Sequence, residues 1–200
     1  SGKSLIVFAA DKPTAVVDIG GGTTEIAVIS LGGVVVSRSL RIAGDEMNED
    51  IVRYSRDAFN LLIGEKTAEE VKISIGSAYS LREVMTHSIR GRDLVSGLPK
   101  EIVATDEQIR EALSHSIRII VNNIKTIIEE TPPELLSDIF QRGIILAGGG
   151  SLIRGLDRLL ANQTGIPVRM MEDPLTAVVR GTGVVLEDME RLKEVLVEDH

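Results

Sequence analysis

The chain has 200 residues, of which 43% are hydrophobic and 2% aromatic, and its formal net charge is −8. This charge argues against nonspecific binding to nucleic acids or to anionic membranes, because both need a basic surface. The chain has no cysteine, which excludes disulfides and thiol catalysis and permits a reducing cytoplasm. No apolar run reaches the roughly 20 residues that a membrane-spanning helix needs.

The chain begins with a segment whose sequence shows no clear secondary-structure pattern. A predicted β-meander follows it. Residues 1–12 are interpreted as an N-terminal tail or as a segment added for expression, although residues 5–10 could add a strand. The meander has a buried strand over residues 15–19 and a second strand over residues 25–30. A turn at Gly32 and Gly33 then predicts a third strand.

Two helices and a small antiparallel pair are predicted next. Asp45 starts an amphipathic helix that ends at Gly64, and Thr67 and Glu70 have the spacing of a capping box for a second, short helix. The strands that follow are predicted over residues 83–90 and 101–104, with a turn at Gly91-Arg92-Asp93. Their pattern differs from that of the meander, which predicts an inserted subdomain.

The second half of the chain contains a long helix and a further strand that ends in glycines. Thr105 and Gln108 form another capping box, and Pro132-Pro133 stop the helix that begins there. The remaining predicted elements are a strand over 143–147, a helix over 152–161, a strand over 167–171 and a final helix from 173 to about 196 that contains Gly181 and Gly183.

Two of the predicted strands each lead into three glycines and a hydroxyl residue. The first strand is followed by Gly20, Gly21, Gly22, Thr23 and Thr24, and the second by Gly148, Gly149, Gly150 and Ser151. Backbone N–H groups of glycine can approach an anion closely because no Cβ stands in the way. Two such loops in one chain predict a cleft that binds a nucleotide at two points, although the second loop also fits a plain strand-to-helix turn.

Asp18 ends the first strand directly before the glycines. A buried carboxylate is costly unless something neutralises it, and a hydrated Mg²⁺ that bridges to phosphate oxygens would do so. The alternative is an aspartate that caps the turn. Thr23 and Thr24 could donate to phosphates or orient a water, or could simply favour a strand, and Glu25 is interpreted as solvated.

These motifs resemble those of a known superfamily. The run from Asp18 to Glu25 resembles the second phosphate loop of the actin, sugar-kinase and heat-shock ATPases, and the run from Leu146 to Ser151 resembles their adenosine loop. Further motifs narrow the resemblance to the MreB family of bacterial actins, over residues from about 16 to 186. They are Gly44-Asp45-Glu46-Met47, Ile75-Gly76-Ser77-Ala78-Tyr79, Gly91-Arg92-Asp93-Leu94, Pro132-Pro133-Glu134-Leu135 and Asp173-Pro174-Leu175-Thr176.

The resemblance implies an α/β fold that corresponds to one half of an actin. A ribonuclease-H-like core with a mixed sheet flanked by helices is expected over residues 13–64 and 105–200, and a small inserted α+β subdomain over residues 65–104. The first phosphate loop and the acidic residue that the family supplies for hydrolysis belong to the other half, which is expected to be missing. Membrane contact is expected only through that half or through other proteins.

The resemblance also implies ATP and Mg²⁺ as ligands and gives each site residue a role. Asp18 would hold the Mg²⁺ through water, and Thr23 would help to position the hydrolytic water. Gly20, Gly21 and Gly22 would wrap the phosphates with Thr23 and Thr24, Glu69 and Lys72 would touch the ribose and the adenine edge, and Gly148, Gly149 and Gly150 would lie along the adenosine.

The expected function is that of half of an ATP-binding, actin-like cytoskeletal protein of bacterial cell shape. We expect it to assemble into filaments or oligomers in the cytoplasm beneath the membrane, to bind ATP weakly and to hydrolyse it slowly or not at all. One alternative is a monomeric nucleotide-binding or structural domain without activity. A small-molecule kinase is a further alternative, but neither a substrate-binding half nor a catalytic base is found for it.

Overall fold

The computed structural model describes residues 12–31 and 33–171, which form two β-sheets and five α-helices. The strands are β1 (Thr14–Ile19), β2 (Thr24–Ser30), β3 (Gly33–Leu40), β4 (Leu61–Leu62), β5 (Thr86–Asp93), β6 (Pro99–Thr105), β7 (Ile144–Ala147) and β8 (Val168–Met170). The helices are α1 (Gly44–Phe59), α2 (Glu65–Ile75), α3 (Asp106–Glu130), α4 (Pro133–Arg142) and α5 (Leu156–Thr164).

The larger sheet has the strand order β3-β2-β1-β7-β8. Its first three strands form the predicted antiparallel meander, whereas β1, β7 and β8 run parallel to one another. All six residues of β1 are buried, as expected for a central strand covered on both faces. The carboxyl ends of β1 and β7 therefore lie side by side at one edge of the sheet.

The long helix α3 begins with the capping box that the sequence predicts. The Thr105 hydroxyl accepts a hydrogen bond from the Gln108 amide, and the Gln108 side chain accepts one from the Thr105 amide. The apolar stripe of α3 is buried against α1 and against strands β2 and β3. This packing contributes a large part of the hydrophobic core.

The structure corrects the predicted boundaries of the first two helices. Helix α1 ends before Asn60, which adopts a left-handed conformation at φ 51°, and not at Gly64. The next residues leave the helix because Leu61 and Leu62 pair with β5. Helix α2 starts at Glu65, two residues before Thr67, and no capping hydrogen bond from a side chain is found at its described start, so the predicted box there is wrong.

The structure also moves the turn of the antiparallel pair. Gly91, Arg92 and Asp93 lie inside β5, where Gly91 is opposite Lys100 and Arg92 is opposite Pro99 of β6, and the chain turns over residues 94–98 instead. A Cβ at Gly91 would collide with the Leu62 carbonyl, so this glycine serves close strand packing and not a turn. The smaller sheet has the order β4-β5-β6 and includes Leu61, which precedes the predicted subdomain boundary at residue 65.

Two differences concern the last described part of the chain. Helix α4 has no counterpart among the predicted elements, because Pro132-Pro133 reads as a stop, whereas Pro133 occupies the first turn of a new helix. Residues Gly149–Leu152 form a 3₁₀ turn, and α5 starts at Leu156 and not at Leu152.

Several predicted features lie outside the described residues. They are the segment before residue 12, the turn residue Gly32, the Asp173 motif and the final helix with Gly181 and Gly183. Among the helices that are described, none combines the length and the apolar composition required to cross a membrane.

Candidate functional site

The two glycine loops meet at the edge of the larger sheet. Asp18 and Ala147 are partners in the parallel pairing of β1 and β7, so the loops that follow them start side by side. Gly148 has φ 79°, and a Cβ on it would collide with Asp18 Oδ1 and the Ile19 carbonyl. A Cβ on Gly150 would collide with the Ile19 side chain. The second loop therefore packs directly on the end of β1, next to the start of the first loop.

Backbone hydrogen bonds attach the first loop to the start of α1. The Gly20 amide donates to the Thr23 carbonyl at 2.9 Å and closes the loop. The Gly44 amide donates to the Gly20 carbonyl at 3.0 Å, and the Asp45 amide donates to the Gly21 carbonyl at 2.8 Å. These bonds occupy carbonyl oxygens of the loop and hold it against the helix.

A cleft of about 630 Å³ opens between the two loops and helix α2. This volume lies within the range of about 300–1,000 Å³ that is typical of small-molecule sites. Nine of the predicted site residues line it: Asp18, Gly20, Gly21, Thr23, Glu69, Lys72, Gly148, Gly149 and Gly150. Residues of the first loop, the second loop and α2 therefore line one and the same cleft.

Two predicted site residues do not line the cleft. Gly22 is exposed beside the Asp45 carboxylate. Thr24 is fully buried, and its hydroxyl donates to the Ile42 carbonyl at 2.7 Å. The structure therefore corrects the prediction for Thr24, because its hydroxyl holds β2 against the segment after β3 and does not face the cleft.

Asp18 has the surroundings expected of a residue that needs a cation. Its side chain is 4% exposed, and among the described residues its Oδ1 atom has no hydrogen-bond partner. Burial, and secondarily the charge of Glu25, raise the pKa of the Asp18 carboxyl. Both effects mean that the ionised carboxylate is poorly compensated by the protein alone.

A divalent cation fits this orphaned oxygen. No group of three or more histidine, cysteine, aspartate or glutamate side chains suited to metal binding occurs in residues 12–31 and 33–171. A cation at Asp18 would therefore take most of its ligands from water and from a bound phosphate. Mg²⁺ is commonly held in this way, by one or two carboxylates together with substrate phosphates.

Helix α2 places Lys72 and Glu69 on the wall of the cleft. Lys72 is 9% exposed, and its ammonium group donates to the Gly44 carbonyl at 2.8 Å. Burial lowers the pKa of Lys72, while the nearby charges of Glu69, Asp45 and Glu65 oppose this effect. Glu69 is exposed in the cleft, where it is free to meet a polar group of a ligand.

Sequence reasoning missed several residues that line the cleft. Ile73 and Leu152 are apolar yet 66% and 49% exposed, which suits the faces of an aromatic base. Glu25 also lines the cleft and accepts a hydrogen bond from Ser39, so it is more than a solvated side chain. Asp45 belongs to the motif Gly44-Asp45-Glu46-Met47, and this motif could have indicated its place at the site. Single exposed apolar residues such as Ile73 and Leu152 have no comparable sequence motif.

The segment from α2 onward is attached to the second loop as well. Arg154, which follows that loop closely, donates to the Ile73 carbonyl at 2.9 Å and accepts from the Ala78 amide through its own carbonyl. Arg110 reaches Ser77 from helix α3. Helix α2 is therefore bonded to Arg154 after the second loop through its Ile73 carbonyl, and to Gly44 beside the first loop through Lys72.

The family model of the MreB/Mbl proteins matches residues 2–194. The chain belongs to the MreB/Mbl family. This match includes most of residues 1–12, the segment interpreted above as a tail or an added segment. The predicted relationship to the bacterial actins is confirmed.

Curated relatives are similar over most of this chain but are longer than it is. The cell shape-determining protein MreB of Escherichia coli strain K12 is 54% identical over 172 residues, which are 86% of this chain and 50% of the relative. The cell shape-determining protein Mbl of Bacillus subtilis strain 168 is 48% identical over 177 residues, which are 88% of this chain and 53% of the relative. The chain thus spans about half the length of these relatives.

Solved structures confirm the predicted fold class of an actin-like α/β half. MreB5 of Spiroplasma citri bound to AMPPNP is 40% identical, with a TM-score of 0.86 over 92% of this chain and 55% of that protein. The same protein bound to ADP gives a TM-score of 0.87 at 39% identity, over 96% of this chain and 58% of that one. A MamK double helical filament gives 0.73 at 27% identity, over 88% and 54%.

Proposed function

We propose that this chain provides half of the nucleotide site of an actin-like, ATP-binding protein that acts in bacterial cell shape. The observation that carries the proposal is the packing of the second glycine loop on the end of β1 directly before the first loop, where a Cβ on Gly148 would collide with Asp18 and Ile19, beside a cleft of about 630 Å³. Family membership and the cell-shape relatives support the biological role.

The phosphates belong at the first loop. Gly20 and Gly21 line the cleft, and the backbone N–H of Gly21 can approach an anion without a side chain in the way. Asp18 would hold Mg²⁺, directly or through water, and the cation would offset the charge of the phosphates and of the buried carboxylate. Thr23, which is exposed in the cleft, is the residue placed to orient a water.

The nucleoside belongs between the second loop and α2. Ile73 and Leu152 offer apolar contact for the base, and Gly148, Gly149 and Gly150 line the same cleft. The exposed Glu69 carboxylate can accept hydrogen bonds from ribose hydroxyls. Nucleotide-bound structures of MreB5 from Spiroplasma citri support this use of the cleft.

The affinity of this half for ATP is expected to be low. The chain spans about half of its relatives, so the contacts from the remaining half are not supplied by it. Hydrogen bonds to charged groups contribute about 1.5–3 kcal/mol each, and the loss of several weakens binding by orders of magnitude. We accordingly propose slow hydrolysis or none by this chain alone, and a cytoplasmic location beneath the membrane for the whole protein.

Isothermal titration calorimetry with ATP and Mg²⁺ tests the nucleotide proposal. We expect millimolar or tighter binding that weakens at least tenfold in Asp18→Ala and when Mg²⁺ is replaced by EDTA. Asp57→Ala is the matched control, since Asp57 is an exposed aspartate on α1 away from the cleft. Absence of any binding at 10 mM ATP, or equal binding by Asp18→Ala, would contradict the proposal.

Self-association is the second part of the proposed function. A MamK relative forms a double helical filament, and this chain has exposed apolar residues at Leu94, Val95 and Leu98, in the turn between β5 and β6. Sedimentation and negative-stain microscopy, with and without ATP, measure assembly. A chain that stays monomeric at several hundred micromolar in both conditions would support a passive nucleotide-binding domain instead.

A further inference from the structure

Glu25 lies next to Asp18 in the lining of the cleft. The two residues are partners in the antiparallel pairing of β1 and β2. Side chains of such partners project from the same face of a sheet, with their Cβ atoms about 4.5–5.5 Å apart. Both residues line the cleft, whereas the neighbouring Thr24 is buried and bonds to the Ile42 carbonyl. The pleat of β2 therefore directs the Glu25 side chain toward the cation site proposed at Asp18.

A serine on the edge strand β3 holds the Glu25 carboxylate. Glu25 is the register partner of Ser39, and the Ser39 hydroxyl donates to Glu25 Oε1 at 2.6 Å. Asp18, Glu25 and Ser39 thus form one row across the three strands of the meander. Fixing a glutamate side chain costs rotamer entropy, and this bond fixes Glu25 in the unliganded chain. Ser39 therefore preorganises Glu25 beside Asp18 while it engages one of the two carboxylate oxygens.

The two neighbouring carboxylates need a positive charge near them, because like charges on directly opposite residues destabilise a sheet. Asp18 is 4% exposed and incompletely hydrogen-bonded within the described residues. The described lining of the cleft carries four carboxylates, from Asp18, Glu25, Asp45 and Glu69, and one ammonium, from Lys72. A divalent cation suits such a pair, since Mg²⁺ is commonly held by one or two carboxylates together with substrate phosphates.

We propose that Glu25 is a second carboxylate of the cation site and that Ser39 is the positioning residue that holds it there. Asp18 and Glu25 together would hold the divalent cation, directly or through water. They would thereby offset the negative charge that the acidic cleft presents to a triphosphate. The inference rests on the proposed nucleotide function, and it makes retention of the cation depend on all three strands of the meander.

A titration of the nucleotide-free chain with Mn²⁺ alone tests the site directly. Mn²⁺ accepts the same carboxylate ligands as Mg²⁺, and its paramagnetism broadens nearby amide resonances. We expect broadening at Asp18 and Glu25 in the wild type, and Glu25→Gln should need about fivefold more Mn²⁺ for the same effect. Equal broadening in Glu25→Gln and wild type would overturn the inference. So would the absence of broadening at Asp18 in the wild type at about 10 mM Mn²⁺.

Glu101→Gln is the matched control for this titration. Glu101 also lies on a strand and accepts a hydrogen bond from a serine of the neighbouring strand, with Ser88 Oγ at 2.8 Å from its Oε1. It belongs to the smaller sheet and does not line the cleft. Glu101→Gln should therefore leave the response of Asp18 to Mn²⁺ unchanged, and a loss equal to that of Glu25→Gln would contradict a specific site.

Calorimetry with ATP separates cation binding from a merely structural role. We expect Glu25→Gln to weaken binding of ATP about tenfold in Mg²⁺, but to leave binding in EDTA unchanged or tighter, because the variant removes a negative charge near the phosphates. Equal weakening in both conditions would indicate a structural role and overturn the inference. If the wild type binds ATP in neither condition, the nucleotide proposal fails, while the Mn²⁺ titration still decides the cation site.

Two further variants test how Glu25 is held. Ser39→Ala should lower the affinity for Mn²⁺ about two- to threefold, and combining it with Glu25→Gln should add nothing, because Ser39 acts through Glu25. An additive loss in the double variant would contradict the positioning role. Glu25→Asp keeps a carboxylate and should retain more affinity for Mn²⁺ than Glu25→Gln, and no difference between them would count against a ligand role. Circular dichroism checks folding, and Ser39→Ala carries the test if Glu25→Gln does not fold.

Discussion

The two glycine loops have the same Gly-Gly-Gly sequence, yet their glycines are surrounded differently in the structure. In the second loop, Gly148 has φ 79° and contacts Asp18 and Ile19, and Gly150 presses against the Ile19 side chain. In the first loop, the nearest atoms to a Cβ on Gly21 are those of the Asp45 carboxylate, at 3.6 Å or more. The second loop needs glycine to fold, whereas Gly21 has room for a side chain in the unliganded chain.

This difference follows from where each loop lies. The second loop passes over the end of β1, so its backbone packs against neighbouring backbone and a buried isoleucine. The first loop borders the cleft and is exposed at Gly21 and Gly22. We infer that the open space over the first loop is reserved for a ligand, while in the second loop the Cβ positions of Gly148 and Gly150 are already filled by protein.

The largest expected effect is that of Gly148→Ala. The substitution combines an unfavourable left-handed backbone conformation with a collision against backbone, so we expect a loss of about 3 kcal/mol or more in the free energy of unfolding. Urea denaturation measures it, and Gly165→Ala is the control, because Gly165 also has a positive φ, of 72°, but has open space around its Cβ position. A loss at Gly148 no larger than at Gly165 would break the comparison.

A medium effect is expected from Asp18→Asn, and it depends on pH. The folded chain raises the pKa of Asp18 above its usual 3.8, so the folded state binds the proton more tightly than the unfolded state does. Stability contributed by the protonated form is complete below about pH 4 and is lost as the pH rises through the folded pKa. Removing the charge should therefore stabilise the metal-free chain at pH 7 and have little effect at pH 4.

Thermal unfolding of Asp18→Asn measures this effect. At pH 7 we expect a gain of roughly 1 kcal/mol, which corresponds to about 2–4 °C in Tm for a chain of this size. The exposed Asp57→Asn should show no comparable gain. A variant less stable than wild type at pH 7 without Mg²⁺ would show that the protein compensates the buried carboxylate by itself.

The smallest effect on stability is expected from Gly21→Ala. Its Cβ would meet only the flexible Asp45 carboxylate, so the free energy of unfolding should change by less than about 0.5 kcal/mol. Binding of Mg²⁺-ATP should nevertheless weaken about tenfold, because the methyl group enters the space proposed for the phosphates. Calorimetry measures the affinity for Mg²⁺-ATP, and urea denaturation of the same sample measures the free energy of unfolding. A stability loss as large as that of Gly148→Ala would contradict the proposed difference between the two loops.

Local sequence signals predicted the elements well where one interaction dominated. The alternation and apolar content of β1 and β2 and the capping box of Thr105 and Gln108 gave elements that the structure confirms. The similar spacing of Thr67 and Glu70 gave a wrong start for α2, because the helix had already begun at Glu65. A capping pattern predicts a helix nearby but does not select among competing starts.

The candidate site was predicted unevenly for a related reason. Asp18 and the glycines of the first loop lie within one stretch of sequence, from which their chemistry could be predicted. Ile73, Leu152 and Asp45 come from separate elements, and their common place at the cleft depends on how α2, the 3₁₀ turn and α1 pack. For Thr24, the sequence gave the correct strand but not the partner of its hydroxyl, since Ile42 is 18 positions away.

The order of residues by itself determined the two glycine loops, the strands that lead into them and the relationship to the bacterial actins, because these depend on local pattern. Tertiary packing alone decided that Gly148 abuts Asp18, that Thr24 faces inward and that the Lys72 ammonium bonds to the Gly44 carbonyl. Such contacts join residues far apart in the chain, and their formation depends on the space and polarity that the whole fold leaves around each group.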